Sequence, residues 1–393
     1  MILGPSLLGR FRIFNSILFS IKSQEIIEML SLWSYVLFLF ISGVKMDIGM
    51  IKRSGRKALL TGVVCILSPL IISFSFQVKM RKCYWLNEDE AYVLSYLTAV
   101  HCLTPFAVVA CLLEDLKILT SELGRLALSA AMVSDMLSVF LSLLATLTKI
   151  SREQSSVLTA VDLGGLVILL IVIVFAIRPA MFWVIRQTPA GRPVCDTYIH
   201  IIMLMVFGSG LLSHSFRVSM FTGPFFMGLA VPDGPPLGSA IVNKFNYFIL
   251  DVFLPIFVTS CGMRTDLSLL KFNNMFMTIN GFIIVLTFLS KMAACLVPPL
   301  YFKMPLKDAM ALALLLSCKG VVQLAAYSRL RDTKVTIFIF FLAFFFFLFL
   351  EIKWKINVRN HIFISQVFQN NNVAIPINSF FFFLTLIDHQ RVD

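Results

Sequence analysis

Long apolar runs separated by short polar gaps occupy most of this sequence. A bilayer core of about 30 Å requires roughly 20 consecutive apolar residues from a helix that crosses it, and most of the runs approach that length. A soluble core of this size could not hide so much apolar surface. The sequence therefore predicts an all-α polytopic membrane protein. The predicted spans are 28–45, 58–77, 91–113, 122–148, 158–185, 197–213, 218–231, 245–262, 274–301, 307–328 and 335–350.

The distribution of charge supports a membrane rather than a nucleic acid as the partner. The net charge is +12, yet only 14% of the residues are charged, against roughly 25% in soluble domains. Lys and Arg lie in the gaps between apolar runs, as expected for loops at a lipid surface. The positive-inside rule makes the basic loop at 45–57 cytoplasmic, although strict alternation then places the basic gaps at 79–82 and 329–334 outside.

No common enzyme motif is present. The sequence lacks HExxH, GxSxG, the P-loop and the dinucleotide fingerprint. Its eight cysteines are scattered singly, so they predict neither a metal centre nor a disulfide framework. Most lie in apolar runs, where cysteine usually acts as a small buried hydrophobe. We expect a protein that is not an enzyme and uses no cofactor.

One apolar run carries a single carboxylate, Asp135, near its middle. A charge at the bilayer centre costs about 2.5–3.5 kcal/mol on insertion scales, and such residues usually face the bundle interior or a water-filled path. Small neighbours such as Ser134 allow other helices to approach closely. We therefore hypothesise that Asp135 binds a cation or a proton.

Two other runs contain features that interrupt a helix. Pro105 follows Thr104 in the first, and a proline removes an amide donor and strains the preceding turn. In the second, Gly320 lies between Lys319 and Gln323. Broken helices of this kind build ion sites in transporters. The alternatives are a simple proline kink, with Thr104 bonded to its own helix, and an ordinary polar spot in a bundle core.

A lysine, Lys291, lies deep in another predicted span. An ammonium at that depth needs a partner or an aqueous path, and Asp135 is the natural partner. The alternative is a lysine whose long stem carries its charge to the membrane surface.

Five sets of short segments follow one another along the sequence: Ile2–Arg10, Phe40–Asp47, Ser121–Asp135, Phe253–Phe257 with Gly262–Thr265, and Lys319–Leu324. Taken together and in this order, they resemble the plant cation/proton exchangers, a branch of the monovalent cation:proton antiporter superfamily. The resemblance covers roughly residues 2–335.

The resemblance implies a sodium/proton-antiporter-like bundle with two inverted repeats. In it a dimerisation panel flanks a core panel, where two discontinuous helices cross. It further implies a homodimer in an endomembrane or the plasma membrane that exchanges K⁺ or Na⁺, with K⁺ as the expected ion, for H⁺ by an elevator-like movement. By position, Asp135 matches the titrating carboxylate, and Ser134 stands where Asn or Asp is common. Thr104 matches the threonine of the first broken helix, and Lys291 the lysine of the core.

The sequence departs from the family pattern in two ways. Thr104-Pro-Phe-Ala107 replaces Thr-x-Phe-Pro, which predicts a break two residues earlier. The chain also resembles a family member truncated at both ends, with a transmembrane exchanger domain at 1–335 whose first helix is incomplete. Residues 336–393 form a divergent Phe-rich tail, either a lipid-facing helix or an artefact of the gene model. A non-transporting remnant or assembly partner, and a channel or symporter on a similar bundle, are the alternative functions.

Overall fold

The computed structural model describes residues 21–84, 88–153, 156–188, 194–232, 234–263 and 275–328. Every regular element within these ranges is helical, as the apolar runs predict. In chain order the helices are α1 (Ile21–Val44), α2 (Ile48–Tyr84), α3 (Glu88–Cys102), α4 (Phe106–Asp115), α5 (Glu122–Glu153), α6 (Ser156–Val172), α7 (Arg178–Gln187), α8 (Asp196–Ser215), α9 (Thr222–Ala230), α10 (Leu237–Tyr247), α11 (Leu254–Met263), α12 (Met275–Tyr301), α13 (Leu306–Ser317) and α14 (Val321–Ser328), with π-helical segments Ile173–Ile177 and Phe248–Phe253 joining α6 to α7 and α10 to α11.

The described residues contain nine segments long and apolar enough to cross a membrane. They correspond to the predicted spans from 28–45 to 307–328, with one exception. The run at 218–231 forms only the nine-residue helix α9, which is about 14 Å long and too short to cross alone. The predicted span at 335–350 and the tail at 336–393 lie outside the described residues. The chain is a multi-pass membrane protein.

The helices pack in two groups. In the first, which we call the outer panel, α1 and α6–α11 share one hydrophobic cluster that includes Tyr35, Ile173, Ile202, Met227 and Phe257. In the second, the core panel, α2, α3, α5, α12 and α13 pack against one another. The two short helices α4 and α14 lie at the boundary, because Ala107 and Ala325 join the outer cluster. This grouping agrees with the two-panel bundle that the resemblance implies, whereas its inverted-repeat symmetry stays a prediction.

Close helix approach holds the core panel together. Gly62 lies where α2 crosses α5, and a Cβ there would come within 2.6 Å of the Ala130 carbonyl oxygen. On α2 and α12, Cys65 and Cys295 form a disulfide with a Cα–Cα distance of 5.1 Å. The sequence does not predict this bond, because the two cysteines are 230 positions apart and neither belongs to a recognisable pair.

Candidate functional site

The first break falls at the predicted proline. Helix α3 ends at Cys102 and α4 begins at Phe106. Pro105 precedes α4 in an extended conformation, with φ −76° and ψ 122°. A helix end leaves its last carbonyls and the first amides of the next segment without helical partners. The break therefore exposes the carbonyls of residues 101–103 on one side and the amide of Phe106 on the other.

The second break falls at the predicted glycine. Helix α13 ends at Ser317 and α14 begins at Val321. The amide of Gly320 donates to the Gln323 side-chain oxygen at 2.8 Å, which caps the start of α14. A Cβ at Gly320 would lie 2.3 Å from a methyl carbon of Val108 on α4. Because Gly320 has no side chain, the second break can pack directly against α4.

Side chains of the second break bind the carbonyls of the first. The Lys319 ammonium donates to the carbonyl oxygens of His101 and Leu103, the latter at 3.1 Å. The Gln323 amide nitrogen lies 3.3 Å from the same Leu103 oxygen. Lys319, Gly320 and Gln323 are therefore parts of a contact between two discontinuous helices.

Lys291 joins the same cluster of carbonyls. Its side chain is 1% exposed, so it does not reach the membrane surface. Its ammonium donates to the carbonyl oxygens of Cys102 at 2.8 Å and Leu103 at 2.7 Å. The predicted ion pair with Asp135 is therefore not formed here. The carbonyl end of a helix carries negative partial charge, which attracts cations, and α3 supplies that end.

Asp135 lies on the opposite side of the first break. One carboxylate oxygen accepts a hydrogen bond from the Phe106 amide at 3.4 Å, at the first residue of α4. The amino end of a helix carries positive partial charge and favours an anion. The break therefore separates the charges, with two ammonium groups at the end of α3 and one carboxylate at the start of α4. The single long hydrogen bond leaves this carboxylate able to accept another partner.

Two buried hydroxyl groups, one in the first break and one on the residue before Asp135, have no hydrogen-bond partner among the described residues. The Oγ1 atom of Thr104 and the Oγ atom of Ser134 are both buried and unpaired. Leaving a buried polar group unpaired costs about 1–3 kcal/mol, and structures usually satisfy such groups with protein or ordered water. Together with Asp135 they supply oxygen atoms, the ligand type that hard cations prefer. Within the described ranges, His, Cys, Asp and Glu form no group of three or more that could hold a metal ion.

Sequence reasoning overlooked a set of polar side chains in α2, α3 and α12. They include Ser73 and Gln77 on α2, Ser95 on α3, and Asn280 and Thr287 on α12. The pairs 73/77 and 287/291 are four residues apart, a spacing that places each pair on one helix face. Periodicity of polar residues inside the apolar runs would have revealed the set.

Comparisons with known proteins agree with this architecture. The family model described as "Sodium/hydrogen exchanger, transmembrane" matches residues 1–358. Among curated proteins of Arabidopsis thaliana, Cation/H(+) antiporter 3 is 39% identical over 316 residues, which cover 75% of this chain and 38% of that protein. Cation/H(+) antiporter 8 is 33% identical over 330 residues, or 82% of this chain and 40% of that protein.

The chain thus spans about two-fifths of the length of the curated relatives it matches. The family model nevertheless covers nearly all of it, including both helix breaks and Asp135. The chain belongs to the transmembrane sodium/hydrogen exchanger family, in the branch of the plant cation/proton exchangers.

Proposed function

We propose that this protein exchanges a monovalent cation for protons across a membrane by alternating access. The observation that carries the proposal is the position of Asp135, whose carboxylate accepts a hydrogen bond from the amide that begins α4. Thr104 in the same break and Ser134, the residue before Asp135, each keep a buried hydroxyl unpaired. One carboxylate cannot hold a proton and a metal cation at the same time. Competition at Asp135 therefore couples the two flows. The curated relatives are named cation/H⁺ antiporters, which supports a transporter rather than an enzyme.

The proposed cation is K⁺ ahead of Na⁺. The site offers few protein oxygens, namely the Asp135 carboxylate and the hydroxyls of Thr104 and Ser134. A protein oxygen must replace part of the hydration shell that the ion gives up. K⁺ sheds its water at a lower cost than Na⁺ does, so a sparsely ligated site favours it.

The arrangement of charges supports a one-for-one, electroneutral cycle. Lys291 and Lys319 bond to carbonyl oxygens rather than to Asp135, so the carboxylate needs no lysine to compensate it.

The half-helices α4 and α14 lie where the outer and core panels meet. We propose that the core panel carries them past the outer panel, and that a second copy of the chain holds the outer panel in place as a homodimer.

The substitution Asp135→Asn tests this proposal. The full chain is reconstituted in vesicles that enclose a pH-sensitive dye, and K⁺ or Na⁺ gradients are applied. We expect the variant to lose cation-driven proton movement, because an amide neither releases a proton nor neutralises a cation. Asp251→Asn, which makes the same change at an exposed carboxylate in the segment Phe248–Phe253, should transport normally.

Exchange by the Asp135→Asn variant at the wild-type rate would contradict the assignment. Cation flux without proton movement in the wild-type chain would indicate a channel, and cation flux in the same direction as protons a symporter. An inactive wild-type chain would indicate a non-transporting assembly partner.

A further inference from the structure

A row of polar side chains runs through the core panel, away from Asp135. The Oγ atom of Ser73 on α2 lies 2.8 Å from the Oγ1 atom of Thr287 on α12. The Gln77 amide nitrogen lies 2.5 Å from the Oγ atom of Ser95 on α3. Thr287 is one helical turn from Lys291, whose ammonium binds the first break. We call this row the polar seam and define it as Ser73, Gln77, Ser95, Asn280 and Thr287.

The seam contains buried amide atoms without partners. Asn280 is 1% exposed, and neither its Oδ1 nor its Nδ2 atom is hydrogen-bonded. The Oε1 atom of Gln77 is also buried and unpaired. Native structures satisfy buried groups of this kind with ordered water, and a buried water typically needs two to four polar partners. These two amides offer both acceptors and a donor.

The helix register brings the two amides to neighbouring levels. Contacts between α2 and α12 join Cys65 to Cys295, Ser73 to Thr287, and the rings of Phe76 and Phe282. The numbers rise on α2 as they fall on α12, so the helices are antiparallel. Gln77 lies one turn beyond Ser73, and Asn280 lies about two turns beyond Thr287, on the same faces. Their levels along the helices therefore differ by only about 5 Å, so the two amides lie in the same part of the core panel.

The seam lies between the first break and one end of the core-panel helices. Lys291 and Asn280 are separated by about 16 Å along α12. At the end of the seam away from Lys291, the membrane-spanning segment of α2 ends at Arg81 and that of α3 begins at Glu90. Apolar side chains such as Leu97 and Ile283 pack around this part of the panel. None of the five seam residues carries a charge, and each offers a hydroxyl or amide group to which water can bond.

We propose that water occupies the polar seam, bridging Gln77 and Asn280 and hydrating the Lys291 end of the first break from the Arg81 side of the membrane. This inference rests on the proposed exchange function, in which the water gives protons a route through the core panel. Water in the seam is itself a physical property that can be measured without transport.

Hydroxyl-radical footprinting by X-ray radiolysis of water tests the proposal on the full chain in lipid vesicles. Bound water generates radicals in place, and mass spectrometry then locates the oxidised side chains. Leu97 and Ile283 report on the seam, and Leu237 and Ile241 are references of the same residue types in the outer panel. All four are almost fully buried. We expect oxidation of Leu97 and Ile283 to exceed that of the two references several-fold.

Two near-isosteric variants, Asn280→Leu and Gln77→Met, should each reduce oxidation of Leu97 and Ile283 to the level of the references. Ser209→Ala is the matched control, because its hydroxyl is also buried but already bonds to the Val206 carbonyl at 2.8 Å. Equal oxidation of seam and reference residues in the wild-type chain would overturn the proposal. So would elevated oxidation that neither variant changes. Asp135→Asn should keep the footprint while losing exchange, so the two proposals fail separately.

Discussion

The charges of the site are arranged by helix ends rather than by ion pairs. Lys291 and Asp135 have opposite charge and both lie at the first break, yet each bonds to backbone. The ammonium meets carbonyl oxygens at the end of α3, and the carboxylate meets an amide at the start of α4. Breaking one helix therefore supplies a fixed counter-charge to each residue. Within the described ranges no lysine or arginine pairs with Asp135, so no side-chain cation there competes with the proposed transported ion.

At the residue scale, we predict that Ser134→Ala weakens cation binding without weakening the fold. The Ser134 hydroxyl is buried and unpaired, so removing it leaves the free energy of unfolding unchanged or raises it by about 1 kcal/mol. The apparent affinity for K⁺ in dye-loaded vesicles should fall several-fold, because a proposed ligand of the cation is lost.

Ser138→Ala is the control for this variant. Its hydroxyl lies one turn further along α5 and already donates to the Ser134 carbonyl at 2.7 Å. It should leave the K⁺ affinity as in the wild-type chain. Wild-type affinity in Ser134→Ala would exclude this hydroxyl from the cation site.

At the scale of elements, Gly320 sets the distance between the two broken helices. We predict that Gly320→Ala destabilises the fold by about 1–3 kcal/mol, the usual range for overpacking, because the new methyl group would lie 2.3 Å from a carbon of Val108. The free energy of unfolding in detergent measures this effect.

Truncating the opposing side chain should restore the packing. The double variant Gly320→Ala/Val108→Ala is expected to be more stable than the sum of the two single changes predicts, which a double-mutant cycle measures. Strict additivity would show that the half-helices do not press against each other at this point.

At the scale of the whole molecule, the disulfide distinguishes a rigid core panel from a deformable one. Cys65 and Cys295 join two helices of the same panel. If the panel moves as a body, replacing both with serine should leave the exchange rate unchanged. The fold should lose about 2–4 kcal/mol of stability, the typical contribution of a disulfide.

Thermal unfolding and vesicle exchange assays of the same preparation check both parts. Loss of exchange in a folded Cys65→Ser/Cys295→Ser protein would mean that the bond takes part in the transport movement. That result would argue against a core panel that moves as one body.

Local chemistry made both helix breaks predictable. A proline at 105 and a glycine at 320 interrupt apolar runs, and the structure places each break there.

The nine-residue helix α9 was not predictable from run length, because 218–231 is apolar enough for a span. Its place in the fold is set by packing: Gly228 lies against the backbone of α1, where a Cβ would come within 2.2 Å of the Phe40 carbonyl oxygen. The partners of Lys291 were equally inaccessible, since they lie 188 and 189 positions away.

Hydrophobic run length alone requires a bundle of membrane helices, since the bilayer accepts few other structures for such a chain. The same reasoning identifies Asp135 as a costly charge that needs a function. Contacts between distant segments are different, because they depend on which helix ends meet after packing. Only the folded chain shows that two lysines share the carbonyls at the end of α3, that the buried hydroxyls of Thr104 and Ser134 stay unpaired, and that Gln77 and Asn280 lie at neighbouring levels in the core panel. The lengths of the apolar runs are therefore enough to predict a membrane bundle with a buried carboxylate, whereas the contacts between distant segments require the tertiary structure.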